Sequence, residues 1–211
     1  MKITHIAETK RGRFALFGEE DFLFSVDEET LYKNELYVGK LLSGQEVSLL
    51  LEQSDTRRAK DKALRYLSLR AYAEQELFEK LCLRHDEHSS SAAVQAMREL
   101  GLLNDLAFAE DRAKGLAARN KSTLEIRRHL IGLGVQRETV EAVMASQQRD
   151  DLAAALAVVR KLYLEKLRRG ETQKVMAALA RRGFSHAHIR EAVDITMEEL
   201  AEQEPNEQET V

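Results

Sequence analysis

Residues 119–144 read RNKSTLEIRRHLIGLGVQRETVEAVM, and this stretch decides the fold. Ser122-x-x-Glu125 has capping-box spacing, in which the Ser and Glu side chains satisfy each other's orphan backbone donors at a helix start. Ile126, Leu130 and Leu133 then fall on one face of the helix so opened. Gly134 stands where a left-handed residue ends a helix, and apolar Val135 follows it, as such endings prefer. Val140 and Val143 supply the apolar face of the next helix. Upstream, Asp105 is placed to cap a helix over about 106–118. Residues 105–148 therefore predict three short helices that must pack on one another, because none is apolar all round.

The pattern recurs when the chain is shifted by 49 residues. Arg70, Arg119 and Arg168 coincide, as do Leu77, Ile126 and Val175, and Leu81, Leu130 and Leu179. Gly134 meets Gly183, Val135 meets Phe184, and Val140 meets Ile189. Residues 85–91, HDEHSSS, read as an insertion of about three residues in the first copy, after which Val94 meets Val140 and Met97 meets Val143. The expected architecture is mainly α: tandem three-helix repeats over 56–104, 105–148 and 149–200, stacked as an elongated curved array. A long exposed face of that kind suits a large or filamentous partner.

The first 55 residues differ. Strands are expected near 2–8, 12–17 and 21–26, with turns at Gly12 and at 18–21. Phe22, Phe24 and Val26 would share one face by period two. Two short helices should follow, opened by Ser25-x-x-Glu28 and Ser43-x-x-Glu46, the second using Leu49, Leu50 and Leu51 as its core face. The segment 201–211 is polar and acidic and reads as a disordered tail.

Composition limits the function classes. Of 211 residues, 44% are apolar and 32% charged, with one Pro and no Trp, which favours helices. The opening MKITHIAET lacks the apolar core of a secretory leader. No run reaches the ~18 apolar residues of a membrane span. Cys82 is alone, so no internal disulfide forms, and its setting LFEKLCLRH reads as a buried helix face. A cytoplasmic monomer is the expectation. The net charge of −4 hides an asymmetry: residues 1–55 hold 6 basic and 11 acidic side chains, whereas residues 149–195 hold 10 and 6. The basic third repeat would attract a polyanion or an acidic protein groove.

Catalytic signatures are lacking. Gly132-Leu133-Gly134 has neither the further glycine nor the Lys-Ser/Thr of a phosphate loop and reads as a helix end. His85-Asp86-Glu87-His88 has no third ligand at metal spacing and reads as a solvated loop. His186 and His188, two apart on a helix, point away from each other. Asp150-Asp151 reads as a helix opening. No catalytic residue, metal site or cofactor is expected. The binding candidates are the basic clusters Arg127-Arg128, Arg160-Lys161, Arg168-Arg169 with Lys174, and Arg181-Arg182, because Arg forks match phosphate and carboxylate alike. Arg70, Arg119 and Arg168, repeated in register, read as structural residues at helix C-termini. Tyr66, Tyr72, Phe78, Phe108 and Tyr163 read as core.

Taken in order, these residues resemble the RecX family. Arg119-x-x-Ser122-x-x-Glu125-Ile126 carries its middle-helix pattern, and Arg70-x-x-Ala73-x-x-Glu76-Leu77 repeats it with Ala in place of the capping Ser. Leu102-Leu103-Asn104-Asp105-x-x-Phe108-Ala109 resembles the stretch between repeats. Ala63-Leu64-x-x-Leu67 also fits, and Ser25–Thr30 with Leu41-x-Ser43 is similar to the extra N-terminal segment of longer members. The third repeat departs, with Glu171 and Lys174 where the box has Ser and Glu. The resemblance implies a non-enzymatic regulator that lodges in the groove of the RecA–single-stranded-DNA filament. It implies restraint of RecA's ATP hydrolysis, strand exchange and stimulation of LexA cleavage. Two other readings stay open: a helical DNA-binding regulator acting without RecA, and, further off, a nuclease using scattered carboxylates.

Overall fold

The computed structural model describes residues 1–203 apart from Arg11 and Glu20. From residue 204 onward, the expected acidic tail lies outside the described residues. The chain divides into two compact units, Met1–Asn104 and Asp105–Val211.

The first unit opens with an antiparallel three-stranded meander, β1 (His5–Glu8), β2 (Phe14–Phe17) and β3 (Phe22–Val26). Ile6 faces Leu16, and Leu16 faces Phe24, so one side of the sheet is apolar. Phe24 and Val26 are buried with Ile3, Leu16 and Leu31. Phe22 is exposed instead of sharing their face, beyond a register shift at Leu16/Phe17. Helix α1 (Glu28–Lys33) follows. Its cap is Asp27, whose carboxylate accepts from the Thr30 N–H at 2.9 Å, and not Ser25, which belongs to β3.

Helix α2 (Gly44–Leu67) has the expected cap: Ser43 Oγ accepts from the Glu46 N–H, and Glu46 accepts from the Ser43 N–H. It is not short. It runs unbroken through the segment boundary expected at residue 55, so one helix serves both the β-module and the first helical triplet. Nor do three successive leucines face inward: Leu50 is 4% exposed, but Leu49 and Leu51 are 56% and 44% exposed. Successive residues are about 100° apart on a helix, so one of the three can point at the core. The polar side of α2 ties down the sheet. Arg13 donates to the Ser25 carbonyl and to Ser54 Oγ, and Ser54 Oγ also accepts from the Asp27 N–H.

Helices α3 (Glu74–Cys82) and α4 (Glu87–Glu99) complete the unit. Ala59 and Ala63 of α2 are buried with Leu77 and Leu81 of α3 and Ala93, Val94 and Met97 of α4. Two expectations fail here. Cys82 is exposed, because α3 ends at that residue and Leu81 takes the core position. The segment HDEHSSS is not a looped insertion. Four residues separate α3 from α4, as four separate the matching helices in both later triplets, and the extra length lies within α4. His85 is accordingly packed, with its Nδ1 3.1 Å from both Asp55 oxygens, while Asp86 caps α4 and His88 meets Glu52 at 2.9 Å.

The second unit holds α5 (Asp105–Ala117), α6 (Thr123–Gly132), α7 (Arg137–Ser146), α8 (Asp151–Leu162), α9 (Leu164–Arg168), α10 (Thr172–Arg181) and α11 (His186–Gln203). Asp105 is the first residue of α5 rather than its cap, where its charge still favours the N-terminal dipole. Middle helices α3, α6 and α10 start at Glu74, Thr123 and Thr172, so the 49-residue register seen in the sequence is the register of the helices. Gly134 and Gly183 both have φ of +81°. At each, paired bonds close the helix: Val135 N–H to Leu130 O with Gly134 N–H to Ile131 O, and Phe184 N–H to Leu179 O with Gly183 N–H to Ala180 O. The first helix of the last triplet breaks at Tyr163 into α8 and α9.

Candidate protein- and DNA-binding surface

The last triplet is built so that its cations face outward. In α8, Ala154, Ala155, Val158 and Val159 are buried, an i, i+1, i+4, i+5 stripe that leaves Arg160 and Lys161 exposed. In α10, Val175 and Leu179 are buried, so Lys174 and Arg181, seven apart, share the solvent side. Leu167, Phe184, Ile189, Ala192, Val193 and Leu200 close the core beneath them.

The nine candidate cations do not form one equivalent set. Four are ion-paired within the chain. Arg127 reaches Glu141 on α7 at 2.8 Å, Arg168 reaches Glu165 at 2.6 Å, and Lys174 reaches Glu171 at 3.1 Å. Arg160 holds both carboxylate oxygens of Glu199 on α11. These pairs are exposed, and such pairs contribute only about 0–1 kcal/mol, so an external anion can exchange with them. Arg128, Lys161, Arg169 and Arg181 are exposed and make no ion pair with any described residue.

Arg182 is different again. Its Nε donates to the Tyr163 hydroxyl at 3.4 Å, and its guanidinium lies 5.8 Å from that ring's centroid. Lys166 lies 5.6 Å from the same centroid. Tyr163 packs its body on the core while its rim carries two cations, so the expectation that it is only a core residue was incomplete. The Tyr163–Lys166 spacing of three was the available signal.

Arg149 went unremarked in the sequence and turns out to be a joint. It is nearly buried, donates to the Lys121 carbonyl at 2.6 Å and to Thr123 Oγ1 at 3.3 Å, and lies 3.7 Å from Asp151. Asp151 in turn accepts from the Thr123 N–H at 3.0 Å. The in-register Arg70 is structural, as expected: it forks onto Glu76 at 3.0 and 2.5 Å and lies 3.6 Å from the Tyr72 centroid. Among the described residues, no group of three or more His, Cys, Asp or Glu is arranged to hold a metal ion. No described helix is long and apolar enough to cross a membrane.

Comparison with known proteins follows the same register. Residues 149–193 match the family model of the third three-helix domain of RecX. The chain is 31% identical over 192 residues to the regulatory protein RecX of Lactobacillus delbrueckii subsp. bulgaricus, covering 87% of this chain and 70% of that one. It is 27% identical over 226 residues to the regulatory protein RecX of Listeria monocytogenes serotype 4a, covering 95% and 82%. A crystal structure of regulatory protein RecX superposes with a TM-score of 0.65 at 23% identity, covering 92% of this chain and 98% of that one. RecX from Lactobacillus salivarius superposes with a TM-score of 0.56 at 22% identity, covering 70% and 97%. At such identities the two superpositions speak for the helical-repeat fold alone.

Proposed function

This chain belongs to the RecX family of regulatory proteins, and from that premise we propose that it binds the RecA–single-stranded-DNA filament in its groove and restrains RecA's ATPase, strand exchange and stimulation of LexA cleavage. In this reading it acts in the cytoplasm, as a monomer and without catalysis of its own. Residues 56–104, 105–148 and 149–200 are its three repeats, and the third provides the main contact. The observation that carries the reading is the division of the cations: Lys161, Arg169 and Arg181 stand exposed, with no ion pair to any described residue, on the repeat that the family model describes. Unpaired exposed cations keep their full charge for a phosphate or an acidic groove, within a screening length of about 8 Å at physiological salt.

The test is the single-stranded-DNA-dependent ATPase rate of the cognate RecA, titrated with this protein at sub-stoichiometric ratios. Suppression well below one copy per RecA protomer is the expected result. No suppression, together with tight and salt-steep binding to naked DNA, would favour the DNA-binding regulator instead.

A further inference from the structure

We propose that Lys62, Tyr66 and Lys80, in the first unit, form a binding site for a phosphodiester backbone. Lys62 and Tyr66 lie one turn apart on α2, and Lys80 comes from α3. Their ammonium groups stand 4.9 and 5.0 Å from the centroid of the Tyr66 ring. Lys80 is also 5.5 Å from the ring of Tyr72, which itself lies 6.0 Å from Tyr66. Two like charges are thus gathered on one aromatic side chain.

Neither lysine has a carboxylate partner among the described residues, and the fold explains why. Lys80 would ordinarily pair with Glu76, one turn back on α3. Both oxygens of Glu76 are taken by the guanidinium of Arg70. Lys62 has no acid one turn away in either direction: its helix neighbours there are Arg58, Ala59, Arg65 and Tyr66. The Tyr66 hydroxyl makes no hydrogen bond with any described residue, so it remains a donor on the ring that carries the two ammonium groups.

The chemistry favours phosphate. The planar fork of Arg, which matches carboxylate and phosphate alike, is not on offer at this place, because Arg70 is already bound to Glu76. Lysine meets phosphate oxygens as a point charge, and Lys and Tyr side chains are common backbone-positioning contacts on nucleic acids. Cations already lie against Tyr66, so the site reads charge rather than stacking a base. The same arrangement occurs independently in the second unit, where Tyr163 carries Lys166 and Arg182, neither of them ion-paired with a described residue. This inference does not depend on RecA.

The experiment is anisotropy of a fluorescein-labelled oligo-dT, and of a duplex of equal length, across a salt series. For K62Q/K80Q we expect about a tenfold loss of affinity at low salt, and a log–log salt slope on the single strand shallower by about 1.4, two phosphates' worth. Y66F should weaken binding less and leave the slope unchanged. The duplex arm distinguishes the two sources of the backbone by which affinity falls more. Melting by circular dichroism checks the fold, and K62Q alone, a single change to another good helix former at a half-buried position of α2, serves if the double variant is destabilised. Parental affinity and slope in the variants, or no binding by the parent protein, would overturn the site. So would unchanged oligonucleotide binding with lost RecA inhibition, which would reassign the lysines to protein carboxylates.

Discussion

The Ser122 hydroxyl donates to the carbonyl of Arg182, 60 residues away, at 2.7 Å, while the same oxygen accepts from the Glu125 N–H at 3.1 Å. One buried side chain therefore caps α6 and also takes up a carbonyl at the end of α10. Ser122 is fully buried, so both partners depend on it. The contact leaves no room opposite: a Cβ on Gly183 would stand 2.9 Å from Ser122 Oγ and 3.3 Å from Leu124 Cβ.

Ser122→Ala should cost about 1–2 kcal/mol for the cap and more for the stranded Arg182 carbonyl. Gly183→Ala should be costlier still, since it adds left-handed strain of about 1–2 kcal/mol to a steric clash. Urea unfolding of both variants checks this. Equal midpoints for Gly183→Ala and the parent would contradict the packing.

Ser90→Ala should stabilise the protein by about 1 kcal/mol. Ser90 is fully buried on α4, and its hydroxyl has no partner among the described residues. A buried unsatisfied hydroxyl is costly, and Ala is the better helix former. The denaturation midpoint should rise with the m-value unchanged.

Stability should fall in acid as aspartates of the first unit protonate. Burial works to raise the pKa of Asp27, but hydrogen bonds from the Thr30 backbone and hydroxyl and from Ser54 outweigh it and hold the carboxyl below its ordinary 3.8. The Ser89 N–H lowers that of Asp86. A depressed folded pKa contributes stability that is present above the unfolded value and lost as pH falls through the folded one. Melting temperature should hold from neutrality down to about pH 4 and drop below it. Asp27→Ala should melt lower than the parent at pH 7, and the gap should narrow below the aspartate range. A gap constant with pH would exclude the charge as its source.

Reversing Lys161, Arg169 and Arg181 to Glu should weaken restraint of RecA with the helical content intact. Reversing Arg160 should instead also disturb α8 against α11, because it leaves Glu199 facing a like charge. ATPase titrations read beside melting curves separate these outcomes. Undiminished restraint by the triple variant would remove the third repeat from the contact.

The sequence alone determined the helical periods, the stops at Gly134 and Gly183 and the 49-residue register, because capping and left-handed turns are local chemistry that a few adjacent residues settle. It also placed the three strands, though each begins later than expected, β1 at His5 rather than near residue 2. It misread what depends on partners far along the chain. Leu49, Leu50 and Leu51 are alike in sequence and differ in burial. His85 looked solvated until Asp55, 30 residues earlier, was placed beside it. The basic clusters were legible as clusters, but not which cations are free: Arg160 is paired across 39 residues and Arg127 across 14, whereas Lys80 is released only because Arg70 holds Glu76. Tertiary structure decided these points, because burial and charge pairing are set by which side chains the packing of helices brings within a few ångströms, and neighbours in sequence do not fix that.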